Sequence, residues 1–161
     1  MTVSITIAIP TFNRARILRQ TIDETLENMP ENFSLVVLDN GSTDATESIL
    51  TETNHPRFDR LRDPEGTHVK DGFFALLDYP KTDYVILMSD EDRIVWEHTR
   101  QLEDVLEFEQ PNYLATSFRH ENFFRHGEGK IRPDSWFRSA FYCSGMVYRR
   151  EPLREAIATI W

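Results

Sequence analysis

Leu87-Met88-Ser89-Asp90-Glu91-Asp92-Arg93-Ile94 decides how this chain is read. The apolar run Tyr84-Val85-Ile86-Leu87-Met88 leads into it with the composition of a buried strand, and three carboxylates follow at its end. Charge close to a core is costly unless it is paired or bound to a metal. A single acid would be enough to favour a following helix through its dipole. Three crowded carboxylates repel one another, which points instead to a ligand that they hold together.

On either side of this stretch, strand and helix signals alternate. Ile5, Ile7 and Ile9 alternate with smaller residues up to Pro10, so residues 3–9 read as a first strand. Asn13 is placed to cap a helix whose apolar positions Leu18, Ile22, Leu26 and Met29 recur every three or four residues. Leu35-Val36-Val37-Leu38 is a fully apolar strand, followed by the turn Asn40-Gly41-Ser42-Thr43-Asp44. Asp44 and Glu47 stand like a capping box at the start of a second helix with Ala45, Ile49 and Leu50. Residues 57–62 give a weak strand signal, and 69–78 a helix with Val69, Phe73, Leu76 and Leu77 on one face. After the strand at 84–88 come a helix near 97–109, strands at Tyr113–Phe118 and Gly145–Tyr148, and a helix from Glu151. Residues 119–142 are aromatic, charged and irregular. The alternation predicts an α/β fold: a mostly parallel central sheet with helices on both faces.

The chain has 161 residues, 40% hydrophobic and 28% charged, enough for one domain with a core of its own. It has no apolar run of about 18 residues, the length that would signal a membrane span. Its N-terminal residues carry no signal-type segment, so the expected location is cytoplasmic, at most peripheral at the inner face of the membrane. The lone Cys143 excludes an internal disulfide and a cysteine-rich zinc site. A net charge of −9 argues against a nucleic-acid partner. It does not argue against a phosphorylated ligand whose charge a divalent cation offsets.

In open parallel sheets, ligands bind beyond the carboxyl ends of the strands. Three polar segments leave strands at that edge: Pro10-Thr11-Phe12-Asn13-Arg14, Asp39-Asn40-Gly41-Ser42 and Ser89-Asp90-Glu91-Asp92. Hard cations such as Mn²⁺ or Mg²⁺ take oxygen ligands, commonly one or two carboxylates plus substrate phosphates.

In this order and spacing the three segments resemble the signatures of family 2 glycosyltransferases, which have the GT-A fold. Ile7-Ala8-Ile9-Pro10-Thr11-Phe12-Asn13-Arg14 is similar to the family's strand-one entry, where Tyr is commoner than Phe12. Val37 to Asp44 resembles its strand-two signature, usually written with two aspartates where Asp39-Asn40 stands. Ser89-Asp90-Glu91-Asp92 resembles its Asp-x-Asp motif, and Gly145 to Arg150 the strand after its variable middle segment. The resemblance implies inverting, metal-dependent transfer from a nucleoside-diphosphate sugar, typically a UDP-sugar, to a saccharide or lipid-linked acceptor in polysaccharide biosynthesis. Pro10, Thr11, Phe12, Asn13 and Arg14 would line the nucleotide pocket with Asn40, Gly41, Ser89 and Glu91, and Asp39 would read the base. Asp90 would face the ribose or share the metal, and Asp92 would be the main metal ligand. Lys70 or Asp71 lies where the family places another donor contact, in a loosely matching segment.

The family's catalytic base sits in an acidic motif well beyond the strand that 145–150 resembles. The base is therefore expected beyond Trp161, in sequence that would follow the helix from Glu151. Residues 1–95 would form the donor and metal half of the domain, and 96–161 would begin an acceptor half that stops short of the base. Asp134, flanked by Trp136 and Arg138, is the one acid within the chain to consider for that role. Three rivals stay open at this stage. A nucleotidyltransferase would want a Gly-rich triphosphate loop where Pro10–Arg14 has no glycine, and a signalling receiver domain an acidic pair where Pro10-Thr11 stands. A nucleotide-sugar-binding module without catalysis is compatible with every motif. His120 and His126 read as an exposed loop, Cys143 as a small buried residue, and His68 as structural or phosphate-facing.

Overall fold

The computed structural model describes residues 2–64, 69–115, 124–126 and 145–159; for 69–71, 115 and 124–126 it describes the backbone alone. The elements are β1 (Ile5–Thr11), α1 (Ala15–Asn28), β2 (Phe33–Asp39), α2 (Thr46–Glu52), β3 (Phe58–Arg62), α3 (Val69–Asp78) and β4 (Tyr84–Leu87). A 3-10 turn (Trp96–His98) then leads into α4 (Thr99–Glu109), followed by β5 (Tyr113–Ala115), β6 (Phe124–His126), β7 (Met146–Arg149) and α5 (Arg150–Ala158). They build one seven-stranded sheet in the order β3-β2-β1-β4-β7-β5-β6. The first four strands are parallel; β7 pairs antiparallel with β4 and β5, and β6 antiparallel with β5.

Side chains alternate across each strand, which is why β1 feeds two cores. Ile5, Ile7 and Ile9 point to one face, with Leu18 and Ile22 of α1 and Leu102 and Leu106 of α4. Ala8, with Val36 and Leu38 of β2, points to the other, against Leu76 and Leu77 of α3 and Leu153 and Ile157 of α5. The expected α/β sandwich with helices on both faces is therefore present. Among the described residues, no helix is long and apolar enough to cross a membrane.

Several local expectations are corrected. The first strand does not stop at Pro10 but runs on to Thr11. On its β4 side, β1 accepts from the Met88 N–H at Ala8 O, 3.0 Å, and its pairing with β4 ends at Ala8. Pro10, two residues on, faces that side where no strand continues, so its missing N–H costs nothing. Asn13 does not cap α1: its backbone is left-handed, φ 53°, and its side chain turns to Thr43. The cap oxygen comes from the next loop, since the Ala15 N–H donates to Asp44 Oδ2 at 3.0 Å. The capping box of α2 is only half formed. Asp44 Oδ1 accepts from the Thr46 N–H at 3.0 Å, but Glu47 turns away to pair with Arg62. Within the stretch left irregular, residues 124–126 form an edge strand.

Candidate functional site

β1 is the strand at which the sheet order reverses, with β2 on one side and β4 on the other. Register sets Thr11 beside Asp39 and Ala8 beside Leu87, so the loops that follow all three strands emerge together. The Thr11 hydroxyl donates to Asp90 Oδ2 at 2.7 Å, joining the first and third segments directly. Arg14 Nη1 lies 3.3 Å from Asp90 Oδ1 and 2.7 Å from Glu91 Oε2. Asp90 is thus buried at 4% exposure with a hydroxyl and a guanidinium at its carboxylate. The bond to Glu91 and the charge of Asp90 hold the Arg14 pKa above its ordinary value, so the guanidinium stays charged.

The first and second segments are locked as firmly. The Asn13 N–H donates to Ser42 Oγ at 2.8 Å, and the Thr43 N–H donates to Asn13 Oδ1 at 2.8 Å. Gly41, at φ 79°, supplies the left-handed turn that brings the Ser42 N–H to Asp39 Oδ1 at 2.8 Å. The other Asp39 oxygen has no hydrogen bond among the described residues; Arg62 Nε lies 3.7 Å from it, on a guanidinium that Glu47 also holds. Burial pushes the Asp44 carboxyl up, but the Thr46 hydroxyl and the Ala15 and Thr46 N–H groups outweigh it and bring the pKa below the usual value.

The buried side-chain oxygens and nitrogens that lack a hydrogen-bond partner among the described residues are Asp39 Oδ2, Asn40 Oδ1 and Asp92 Oδ2. All three are oxygens of the strand-end segments. Buried polar atoms are rarely left unpaired, and an orphaned acceptor marks a place for a donor or a cation. A carboxylate oxygen such as Asp92 Oδ2 is the kind of ligand that a hard divalent cation takes. Among the described residues no group of three or more His, Cys, Asp or Glu side chains could hold a metal unaided. The oxygen chemistry therefore fits a cation that completes its shell from a ligand or water. Dipole stabilisation of the next helix does not account for the acids, because α4 begins only at Thr99 and the dipole fades within a turn.

The structure thus places Pro10, Thr11, Asn13, Arg14, Asp39, Asn40, Gly41 and Ser89 to Asp92 at the ends of three neighbouring strands, on one edge of the sheet, with Phe12 exposed beside them at 56%. Lys70 and Asp71 lie in the first turn of α3, whose Gly72 packs so closely that a Cβ there would meet Asn40 Oδ1 at 2.8 Å. Their helix entry therefore reaches the site. Asp134 falls outside the described residues, as do His68, His120, Trp136, Arg138 and Cys143. Trp161, the position beyond which the base was expected, also lies outside them, so the structure bears on neither candidate location for that base. Sequence reading missed Thr21, Arg62 and Arg93. Thr21 had a faint signal, a polar residue beside Ile22 on the apolar face of α1; the two arginines had none.

The sequence model described as glycosyl transferase family 2 matches residues 6–126, three quarters of the chain and all three segments. The chain belongs to this family. No curated protein matches it in sequence. Solved structures that it resembles include S. aureus TarS 1-349 in complex with UDP, at 15% identity and a TM-score of 0.70, covering 94% of this chain and 48% of that one. TarS 1-349 in complex with UDP-GlcNAc gives 16% and 0.70, covering 94% and 47%. The mannosyltransferase PcManGT from Pyrobaculum calidifontis in complex with GDP-Man and Mn²⁺ gives 18% and 0.70, covering 96% and 47%. These likenesses establish the fold of the family 2 domain, and the chain spans about half the length of those proteins.

Proposed function

We propose that this chain binds the donor for an inverting, divalent-metal-dependent sugar transfer, with a UDP-sugar as the favoured donor and a saccharide or lipid-linked acceptor in polysaccharide biosynthesis. The observation that carries the reading is the trio of orphaned oxygens, Asp39 Oδ2, Asn40 Oδ1 and Asp92 Oδ2, at the edge where the strand-end loops meet. A nucleotide base offers N–H donors to Asp39 and Asn40, and a cation that arrives with the diphosphate satisfies Asp92. Mn²⁺ or Mg²⁺ held by Asp92, with Asp90 beside it, would neutralise charge on the leaving diphosphate. In this reading Thr11 and Arg14 keep Asp90 in place, while Pro10, Phe12 and Asn13 line the pocket together with Gly41, Ser89 and Glu91. Lys70 or Asp71 approaches from α3. Residues 1–95 act as the donor and metal half, and 96–161 begin the acceptor half.

No described residue is assigned as the base that takes the acceptor proton. Donor binding without efficient transfer is the second reading. We place the protein in the cytoplasm or peripherally at the membrane's inner face.

Calorimetric titration of UDP, dTDP and GDP, each with and without Mn²⁺, tests the proposal. UDP is expected to bind most tightly, and its affinity to rise with Mn²⁺; equal affinity in chelator and in Mn²⁺ would remove the metal role. Asp39→Ala is expected to weaken UDP binding roughly five- to a hundredfold, since an unmade buried polar pairing costs about 1–3 kcal/mol. Unchanged preference among the three nucleotides in that variant would reduce Asp39 to a turn residue.

A further inference from the structure

Residues 89–95 lie between β4 and the 3-10 turn without regular structure of their own, yet they carry the acids. Their backbone closes one turn of its own, the Asp92 N–H donating to Ser89 O at 3.2 Å, and two of their carbonyls are tied to one face of α1. Thr21 is fully buried, and its hydroxyl lies 2.6 Å from the backbone oxygen of Asp90. A helical threonine ordinarily bonds to the carbonyl four residues back. Here that carbonyl, Ile17 O, is at 3.2 Å, so the single hydroxyl proton goes to the shorter contact across the site. The same oxygen accepts from Arg93 Nη1 at 2.8 Å, and that nitrogen also lies 3.0 Å from the backbone oxygen of Asp92. Arg93 Nε is 2.6 Å from Glu24 Oε2, one turn along α1 from Thr21 and on the same side. The carbonyls on both sides of Glu91 are therefore tied to α1 through one guanidinium and one hydroxyl.

The Arg93–Glu24 pair is partly exposed, and such pairs contribute little stability by themselves. Its effect is geometric. The guanidinium polarises the Thr21 hydroxyl that grips Asp90, and hydrogen bonds in such a chain strengthen one another. Two anchored carbonyls fix the backbone that carries the Asp92 side chain, whose Oδ2 has no hydrogen-bond partner among the described residues.

We propose that Thr21 and Arg93, with Glu24 behind them, are positioning residues that hold the 90–92 backbone so that Asp92 presents its unpaired oxygen to the nucleotide-borne divalent cation. This rests on the metal reading under Proposed function. Neither residue touches the ligand; both act through the loop.

The test is calorimetric binding of UDP to the 161-residue chain, with and without Mn²⁺, for the wild type, Thr21→Val, Thr21→Ser and Arg93→Met. The quantity read is the Mn²⁺-dependent gain in UDP affinity. Residues that orient metal ligands typically change metal affinity 10- to 100-fold when lost, and a drop of about that size is expected in Thr21→Val. Thr21→Ser, which keeps the hydroxyl, is expected to retain the gain, and Arg93→Met to lose part of it. The preference for UDP over GDP should hold in all variants, because Asp39 lies in a different loop. A wild-type gain in Thr21→Val, or a loss in Thr21→Ser as large as in Thr21→Val, overturns the proposal. Should Thr21→Val fail to fold, Arg93→Met decides alone: a reduced gain supports the relay and an undiminished one overturns it. Absence of any gain in the wild type would instead refute the metal reading itself, before a variant is made.

Discussion

From β3 to β4 the sheet is parallel, with strands of four to seven residues, whereas from β7 to β6 it is antiparallel, with strands of three or four. The two regions meet along one ladder, Leu87 opposite Met146 through Tyr84 opposite Arg149. Parallel strands must be joined by crossovers, so β1, β2 and β4 all end at the same edge, and every motif loop emerges there. Antiparallel neighbours send successive strand ends to opposite edges and cannot gather loops in that way. The antiparallel region instead covers the flank of β4, where the Gly145 N–H donates to Leu87 O at 2.9 Å. The donor site proposed above lies on the parallel half for that reason.

If the parallel half is the stable one, fully buried residues in the two halves should differ in worth. Ile7, in the centre of β1 and packed under α1 and α4, and Leu114, in the three-residue β5, are both completely buried. Large-to-small core changes cost about 2–5 kcal/mol, and Ile7→Ala should fall in the upper part of that range and Leu114→Ala in the lower. Urea unfolding of both variants measures this. Equal losses would mean that the two regions unfold as one cooperative block.

A smaller effect distinguishes the loops of the parallel half from its strands. Asp44 serves the starts of both α1 and α2, so Asp44→Ala should cost about 1 kcal/mol, the usual worth of a helix cap. The Asp44 carboxyl lies below its ordinary pKa of 3.8 in the folded protein, with burial opposing the shift and hydrogen bonds causing it. Asp83 is lowered as well, chiefly by the backbone N–H and the hydroxyl of Ser4. A depressed folded pKa gives stability that is complete above the unfolded value and fades as pH falls through the folded one. Melting temperature should therefore decline on acidification below about pH 4, and the gap between wild type and Asp44→Ala should narrow there. A gap independent of pH would rule out the ionised cap.

The smallest change sharpens the link between packing and site. Gly72→Ala gains helix propensity of up to about 1 kcal/mol, yet its Cβ would stand 2.8 Å from Asn40 Oδ1 and 3.2 Å from Leu38 Cδ2. These effects should nearly cancel in stability while UDP affinity falls, because Asn40 must move. Unchanged affinity would show that Asn40 does not contact the nucleotide.

Periodicity alone placed β1, α1, β2, α3, β4 and α4 close to where they lie, since their apolar positions repeat at the spacing that burial demands. The strand-end position of Asp39 and of Ser89 to Asp92, with the rule that ligands sit at the carboxyl edge of a parallel sheet, made the meeting of these loops at one edge legible in the sequence. The resemblance to family 2 glycosyltransferases was carried by the same three segments, which is why the family match covers them. Only the folded chain decided the rest. That the Asn13 side chain accepts from Thr43, that Asp44 caps a helix in the preceding unit, and that Thr21 grips the Asp90 backbone are pairings between residues 29 to 69 positions apart. Local sequence records how often a residue type caps or turns. It does not record which partner the sheet will bring within 3 Å, because that follows from strand order and register, and these are set by the packing of the whole domain.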